Sequence, residues 1–173
     1  MIRPAGLDDL VDLLDMEKAA STTGLGHVFG PDLPFPEADV LARWRLVFED
    51  PVVTVLVDVD DEGEAVGYAA FGDGWLRHFG IVPRLWGSGR AQALHVAVLA
   101  GFAAQGVQTS YLWVLVDNHR ARSFYARLGW RDTGVREREV FEPYPEKMQL
   151  VRGARVWGCW PSPRAPTRSS GER

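Results

Sequence analysis

The sequence predicts an α/β fold, a single sheet with helices packed against it. Three observations predict it. Residues 52–71 hold two apolar, partly β-branched runs around the turn Asp60-Asp61-Glu62-Gly63, the pattern of a hairpin. Residues 110–116, Ser-Tyr-Leu-Trp-Val-Leu-Val, are apolar on both faces, which suits a central strand covered from both sides. Apolar residues at helical spacing precede, separate and follow these strands.

In chain order, Met1 to Arg3 reads as a short edge strand stopped by Pro4. Leu7, Leu10, Val11 and Leu14 recur at helical spacing, with Asp8, Asp9 and Asp12 near the helix start, where the dipole favours acids. Residues 21–36 carry early glycines and threonines and late prolines, and read as a loop. Glu37 to Glu49 is a second helix, ended by Asp50-Pro51. Val52–Val59 and Ala65–Phe71 are the hairpin strands, and Trp75–Val82 is a third after the turn Gly72-Asp73-Gly74. A helix with Leu94, Val98 and Phe102 on one stripe runs to about Gln105-Gly106. After the strand at 110–116, Asp117-Asn118 caps a helix that stops at Gly129. Trp130–Val135 and Glu146–Val151 are two last strands, with the acidic segment Glu137–Pro145 between them.

The 173 residues form one domain over 1–152, with 153–173 as a C-terminal extension containing Trp157 and Trp160. The net charge of −4 argues against broad binding to nucleic acid. A single cysteine, Cys159, allows no disulfide within the chain and suits a reducing, cytoplasmic setting. The four histidines have no metal-type spacing, so no metal is expected. The N-terminus has no signal-peptide pattern, and no apolar run is long enough to span a bilayer.

The stretch Phe79-Gly-Ile-Val-Pro-Arg-Leu-Trp-Gly-Ser-Gly-Arg-Ala91 joins a strand, a Gly-x-Gly turn and a helix start. Glycines let backbone N–H groups converge, and the helix adds its unpaired donors and positive dipole end, so Gly87 to Ala91 is a candidate anion site. Taken alone, the pattern is equally that of a tight turn. The Walker lysine pair and the third glycine of the dinucleotide pattern are both missing. Further on, Ala121, Phe124 and Leu128 form a core stripe. Asn118, Arg122 and Tyr125 form an adjoining polar stripe, from which Tyr125 can direct its hydroxyl towards a cleft or anchor a loop.

Together the two motifs resemble the GNAT superfamily of acetyl-CoA-dependent N-acetyltransferases. They are Leu76-x-x-Phe79-x-Ile81-x-Pro83 with Trp86-Gly87-Ser88-Gly89-Arg90-Ala91, and Val116-x-Asn118-x-x-Ala121-Arg122-x-Phe124-Tyr125-x-x-Leu128-Gly129-Trp130. The order of elements matches over roughly residues 1–151. The resemblance implies a mixed, mostly antiparallel sheet of six to seven strands and about four helices. It also implies a V-shaped split between the strands at 75–82 and 111–116. Acetyl-CoA, the implied co-substrate, would lie in the split. Backbone groups of Phe79, Gly80 and Ile81 would pair with the pantetheine arm, and the N–H groups of Gly87, Ser88, Gly89, Arg90 and Ala91 with the pyrophosphate. Asn118 would contact the pantetheine region, and Tyr125 would protonate the departing thiolate. Trp86 and Arg90 depart from the family's usual Gln or Arg and aliphatic residue, and Arg90 could add a charge-assisted phosphate contact. Arg84, Arg120 and Arg122 are further candidates for the phosphates.

The family reaction needs an oxyanion donor, implied to be backbone near Ile81, and a base for the acceptor. Trp75 stands where some relatives have Glu, so the base candidates are His78, Asp73, loop carboxylates such as Glu37, Glu137 and Glu139, or a water chain. The expected acceptor is a primary amine of a small molecule or peptide. Phe141 and Tyr144 are candidates to line its entrance, and Glu137, Glu139, Glu142 and Glu146 to favour a cation. The alternative is a non-catalytic acyl-CoA-binding or sensing module. A homodimer, built through the terminal strands or the Trp-containing tail, is a candidate assembly.

Overall fold

A computed structural model describes residues 1–30 and 32–153. Its strands are β1 (Ile2–Pro4), β2 (Thr54–Val59), β3 (Ala65–Gly72), β4 (Trp75–Ile81), β5 (Thr109–Leu115), β6 (Arg131–Arg138) and β7 (Glu146–Gly153). The α-helices are α1 (Leu10–Phe29), α2 (Glu37–Glu49), α3 (Arg90–Ala104) and α4 (His119–Arg127). All seven strands form one sheet in the order β1-β2-β3-β4-β5-β7-β6. Every neighbouring pair is antiparallel except β4 and β5. The extension at 154–173, with Trp157, Cys159 and Trp160, lies outside the described residues.

Two apolar clusters hold the layers together. On one face, Leu94, Val98 and Phe102 of α3 and Tyr125 of α4 pack on Ala69, Phe71, Leu76, Ile81 and Leu112. On the other, Leu13 and Met16 of α1 and Val40, Trp44 and Val47 of α2 pack on Val55, Val57, Tyr68 and Ala70. The expected stripe on α3 is the buried one.

Five expectations need correction. Residues 21–29 are not a loop but the second half of α1, which runs on to Phe29. Gly24 and Gly26 each cost a helix about 1 kcal/mol, and tertiary contacts offset this. Gly24 lies under the Trp86 indole, His27 Nε2 sits 2.9 Å from the Asp117 carbonyl, and Phe29 meets Phe141. The buried stripe of α1 is also different: Leu7 and Val11 are exposed and Leu13 and Met16 are buried. Residues Leu7–Asp9 form a 3₁₀ turn, so the α-helical register starts only at Leu10. On α4, Tyr125 is the fully buried residue, while Phe124 is only partly covered. Finally, β5 is buried at Ser110, Leu112 and Val114, but Tyr111, Trp113 and Leu115 on its other face are half-buried. β6 likewise runs on to Arg138, which shortens the β6–β7 loop.

β4 and β5 are the strands that position the site. They pair only at Trp75–Tyr111 and Leu76–Leu112 and then part. The parting begins beside a bulge in the β3–β4 ladder between Ala70 and Phe71, a device that bends a strand away from its partner.

Candidate active site

Beyond Leu76, β4 keeps β3 on one side and loses β5 on the other. Val82 N–H donates to the Val66 carbonyl towards β3. Strand alternation therefore turns Gly80 to β3 as well, and turns the backbone groups of Phe79 and Ile81 to the open side. Gly80 contributes by lacking a side chain: a Cβ there would meet the Tyr68 ring tip at 2.5 Å. The opening is a cleft walled by Phe79–Ile81, by Ala20, Ser21, Gly24 and Leu25 of α1, and by Asn118, Ala121, Phe124 and Tyr125. Trp86, Gly87, Gly89, Ala91 and Gln92 close its far end.

That far end gathers unpaired backbone donors. Gly87 and Gly89 hold φ of 84° and 89°, a left-handed backbone that side chains disfavour. The chain thereby curls so that α3 starts at Arg90 with no side-chain cap. Among the described residues, the N–H groups of Gly87, Gly89, Ala91 and Gln92 have no intramolecular acceptor. They form a row at the positive end of the α3 dipole. Ser88 does not join this row, because its N–H and hydroxyl both donate to the Leu85 carbonyl, at 3.2 and 2.7 Å.

At the near end, Tyr125 is enclosed by Phe79, Phe124 and Trp130. Burial holds its phenol well above the ordinary tyrosine value, so it is protonated at neutral pH. Tyr68 is equally buried, and its phenol is raised by burial first and by the Glu17 charge second. No buried side-chain oxygen or nitrogen lacks a partner among the described residues, yet neither tyrosine hydroxyl has an intramolecular one. Both therefore open on the cleft they line. Asn118, which lines the cleft, caps α4 by accepting from Ala121 N–H at 3.0 Å, so its amide NH₂ is not used in the cap.

The profile of the Acetyltransferase (GNAT) family matches residues 13–130, which span the cleft and both motifs. The chain belongs to the GNAT acetyltransferase family. Its activity class is thus N-acetyltransfer. It is 35% identical over 116 residues to an uncharacterized N-acetyltransferase of Mycobacterium tuberculosis, covering 64% of this chain and 74% of the relative. Among solved structures, a GCN5-related N-acetyltransferase from Rhodopseudomonas palustris superposes with a TM-score of 0.75 at 16% identity, covering 88% of this chain and 94% of the other. The PaiA N-acetyltransferase of Thermoplasma acidophilum, solved in complex with coenzyme A, superposes with a TM-score of 0.67 at 13% identity, covering 86% and 96%.

Several residues singled out by the GNAT resemblance stand elsewhere than expected. Arg122 is not in the cleft: its Nη1 donates to the Val116 carbonyl at 2.7 Å, and it lines a separate groove beside Trp130 and Asp132. The Arg90 guanidinium is bound to the buried Asp58 carboxylate at 2.8 Å, so only the backbone of Arg90 belongs to the loop. Arg84 is paired with Asp60 at 3.4 Å. Arg120 does reach the cleft, stacked 4.1 Å over the Trp86 ring. Trp86, the departure from the GNAT habit, is a wall residue: its Nε1 donates to the Ile81 carbonyl at 2.8 Å. Of Ile81, the N–H remains for the open edge.

His78 lies just outside the cleft, on the α1–α2 face of β4. Its ring sits 4.5 Å from that of Trp44, and its Nδ1 is 3.6 Å from Glu17 Oε2. Sequence reasoning missed Glu17 and Tyr68. Glu17 had one legible signal, since it occupies the apolar face of α1, four residues after the buried Leu13. Tyr68 had none, because its importance comes from Gly80 across the ladder. Among the described residues, no group of three or more His, Cys, Asp or Glu side chains is placed to hold a metal. No described helix is long and apolar enough to cross a membrane.

Proposed function

We propose that this chain transfers the acetyl group of acetyl-CoA to a primary amine of a small molecule or peptide by direct attack. The observation that carries the reading is the parting of β4 and β5 after Leu76, with the unpartnered Tyr125 hydroxyl opening on the cleft between them. The features of the cleft fit the co-substrate along its length. The N–H row at Gly87, Gly89, Ala91 and Gln92 suits the pyrophosphate. The free backbone edge at Phe79 and Ile81 suits the pantetheine amides, as an added strand would. The Asn118 amide adds a donor between the two.

In this reading Ile81 N–H stabilises the charge that develops on the thioester oxygen, and Tyr125 gives its proton to the departing sulfur. A thiol is released for each acetyl transferred. His78 is the acceptor-side base, since it borders the α1 wall of the cleft. The cleft walls exclude water from the thioester, which favours transfer over hydrolysis.

The test is release of free thiol from acetyl-CoA in the presence of spermidine, kanamycin, alanine and an alanine-initiated peptide. Amine-dependent release, with an acetylated product by mass spectrometry, is expected. Calorimetric binding of CoA with no turnover of any amine would instead favour an acyl-CoA-sensing module.

A further inference from the structure

Glu17 is a charged side chain in an unusual place. It sits between α1, α2 and the sheet with its side chain only 15% exposed. Its Oε2 accepts from Trp44 Nε1 at 2.8 Å and faces His78 Nδ1 at 3.6 Å. Burial opposes its ionisation, but His78, Arg43 and the Trp44 donor outweigh burial and hold it below the usual carboxylate range. The other titratable groups facing the pair are Arg43 from α2 and Tyr68 from β3. Arg77, next to His78, is turned away to Asp50 at 2.8 Å.

We infer that Glu17 is a positioning residue that holds His78 as the proton acceptor for the incoming amine. The inference rests on the transferase reading above. At 3.6 Å the Glu17–His78 contact is electrostatic rather than a direct hydrogen bond. An anion on the Nδ1 side keeps the neutral ring protonated there and leaves the Nε2 lone pair free. The Trp44 ring fixes the imidazole plane. His78 and Gly80 share one face of β4 and lie about 7 Å apart along the strand. Gly80 lines the cleft, and so do Ala20 and Ser21, one turn after Glu17. The pair thus borders the α1 side of the cleft, while Tyr125 comes from the α4 side.

The proton balance closes with these groups. The acceptor ammonium gives one proton to His78 Nε2. The freed nitrogen lone pair forms a C–N bond at the thioester carbonyl carbon. The C–S bond breaks, its electron pair goes to sulfur, and sulfur takes the Tyr125 proton. The surplus proton on the new amide nitrogen restores Tyr125, and His78 releases its proton to solvent. One ammonium and one thioester become one amide, one thiol and one proton. Glu17 acts through His78 throughout, without touching the substrate.

The experiment compares wild type, Glu17→Gln and Glu17→Asp by ¹⁵N NMR titration of the histidine rings and by the pH dependence of kcat/KM for thiol release with the same amine. Glu17→Gln keeps the length of the side chain and an acceptor for Trp44 Nε1, so folding is preserved. The expected result has three parts. The share of neutral His78 protonated on Nδ1 falls when the anion is removed. The plateau of kcat/KM drops by about tenfold or more. Glu17→Asp recovers part of both. In a His78→Ala background, Glu17→Gln adds no further loss. A wild-type neutral ring protonated on Nε2, an unchanged Nδ1-protonated share in Glu17→Gln, or additive losses in the double variant would overturn the inference while leaving the transferase reading intact. Absence of thiol release from wild type with every amine would refute the transferase reading, and the inference with it.

Discussion

Replacing Tyr125 by Phe removes one oxygen and leaves the ring in its place. The ring packs against Phe79 at 6.2 Å, Phe124 at 5.3 Å and Trp130 at 5.8 Å between centroids, and none of these contacts needs the hydroxyl. The hydroxyl has no protein partner among the described residues, although the residue is only 7% exposed. Its removal therefore breaks no intramolecular hydrogen bond and relieves some desolvation. The expected stability change runs from zero to a gain of about 1 kcal/mol, or a rise in Tm of about 2–4 °C for a chain of this size. Catalysis should respond in the opposite direction. Loss of a general acid lowers kcat by about 10²–10³-fold, equivalent to about 2.7–4 kcal/mol of transition-state stabilisation. Thermal melting and single-turnover thiol release on the same preparation measure both. A Tm drop of several degrees would show that the hydroxyl holds the fold together. An unchanged single-turnover rate would refute its role as the acid.

Four further outcomes follow from the geometry. Burial, with a smaller push from the Arg152 charge, lowers His95 from 6.5 to about 4, and Trp130 Nε1 donates to its ring at 2.9 Å. The unfolded ring gains a proton as pH falls through 6.5 while the folded ring stays neutral until about 4, so stability present above 6.5 is lost towards pH 4. Denaturant titrations of wild type and His95→Gln should show a shallower pH dependence in the variant across that window, and identical slopes would contradict the assignment. Gly80→Ala places a methyl group 2.5 Å from the Tyr68 ring tip; it should cost about 1–3 kcal/mol in denaturant melts and weaken CoA binding, and a neutral result would mean that Tyr68 is free to move. Gly89→Ala strains a residue at φ 89° by about 1–2 kcal/mol and should weaken CoA binding about tenfold by calorimetry. Arg90→Ala should change that affinity less, because the guanidinium is already committed to Asp58.

The cleft was legible where its chemistry is local. Glycines at 87 and 89 before an apolar helix, and Asn118 three residues before an N–H it can cap, are short-range patterns with one physical reading each. The central place of β5 was legible for the same reason, from a run of apolar residues. What escaped depends on partners far along the chain. The Ser-Thr-Thr-Gly-Leu-Gly run of α1 has loop composition, and it is helical because Trp86 and Phe141 pack against it. Arg90 and Arg122 read as phosphate ligands until Asp58 and the Val116 carbonyl are seen to hold them. Glu17 and His78 are 61 residues apart and meet only because α1 crosses β4. Tyr68 matters because the facing residue on β4 is a glycine.

A crystal structure with bound CoA decides whether the β4–β5 opening is the acyl-CoA site. The pyrophosphate should lie on the N–H groups of Gly87, Gly89 and Ala91, and the arm along the open edge of β4. The sulfur should lie within hydrogen-bonding reach of the Tyr125 hydroxyl. CoA bound outside the β4–β5 opening, or a Tyr125 hydroxyl bonded to the protein and turned from the sulfur, would contradict this assignment.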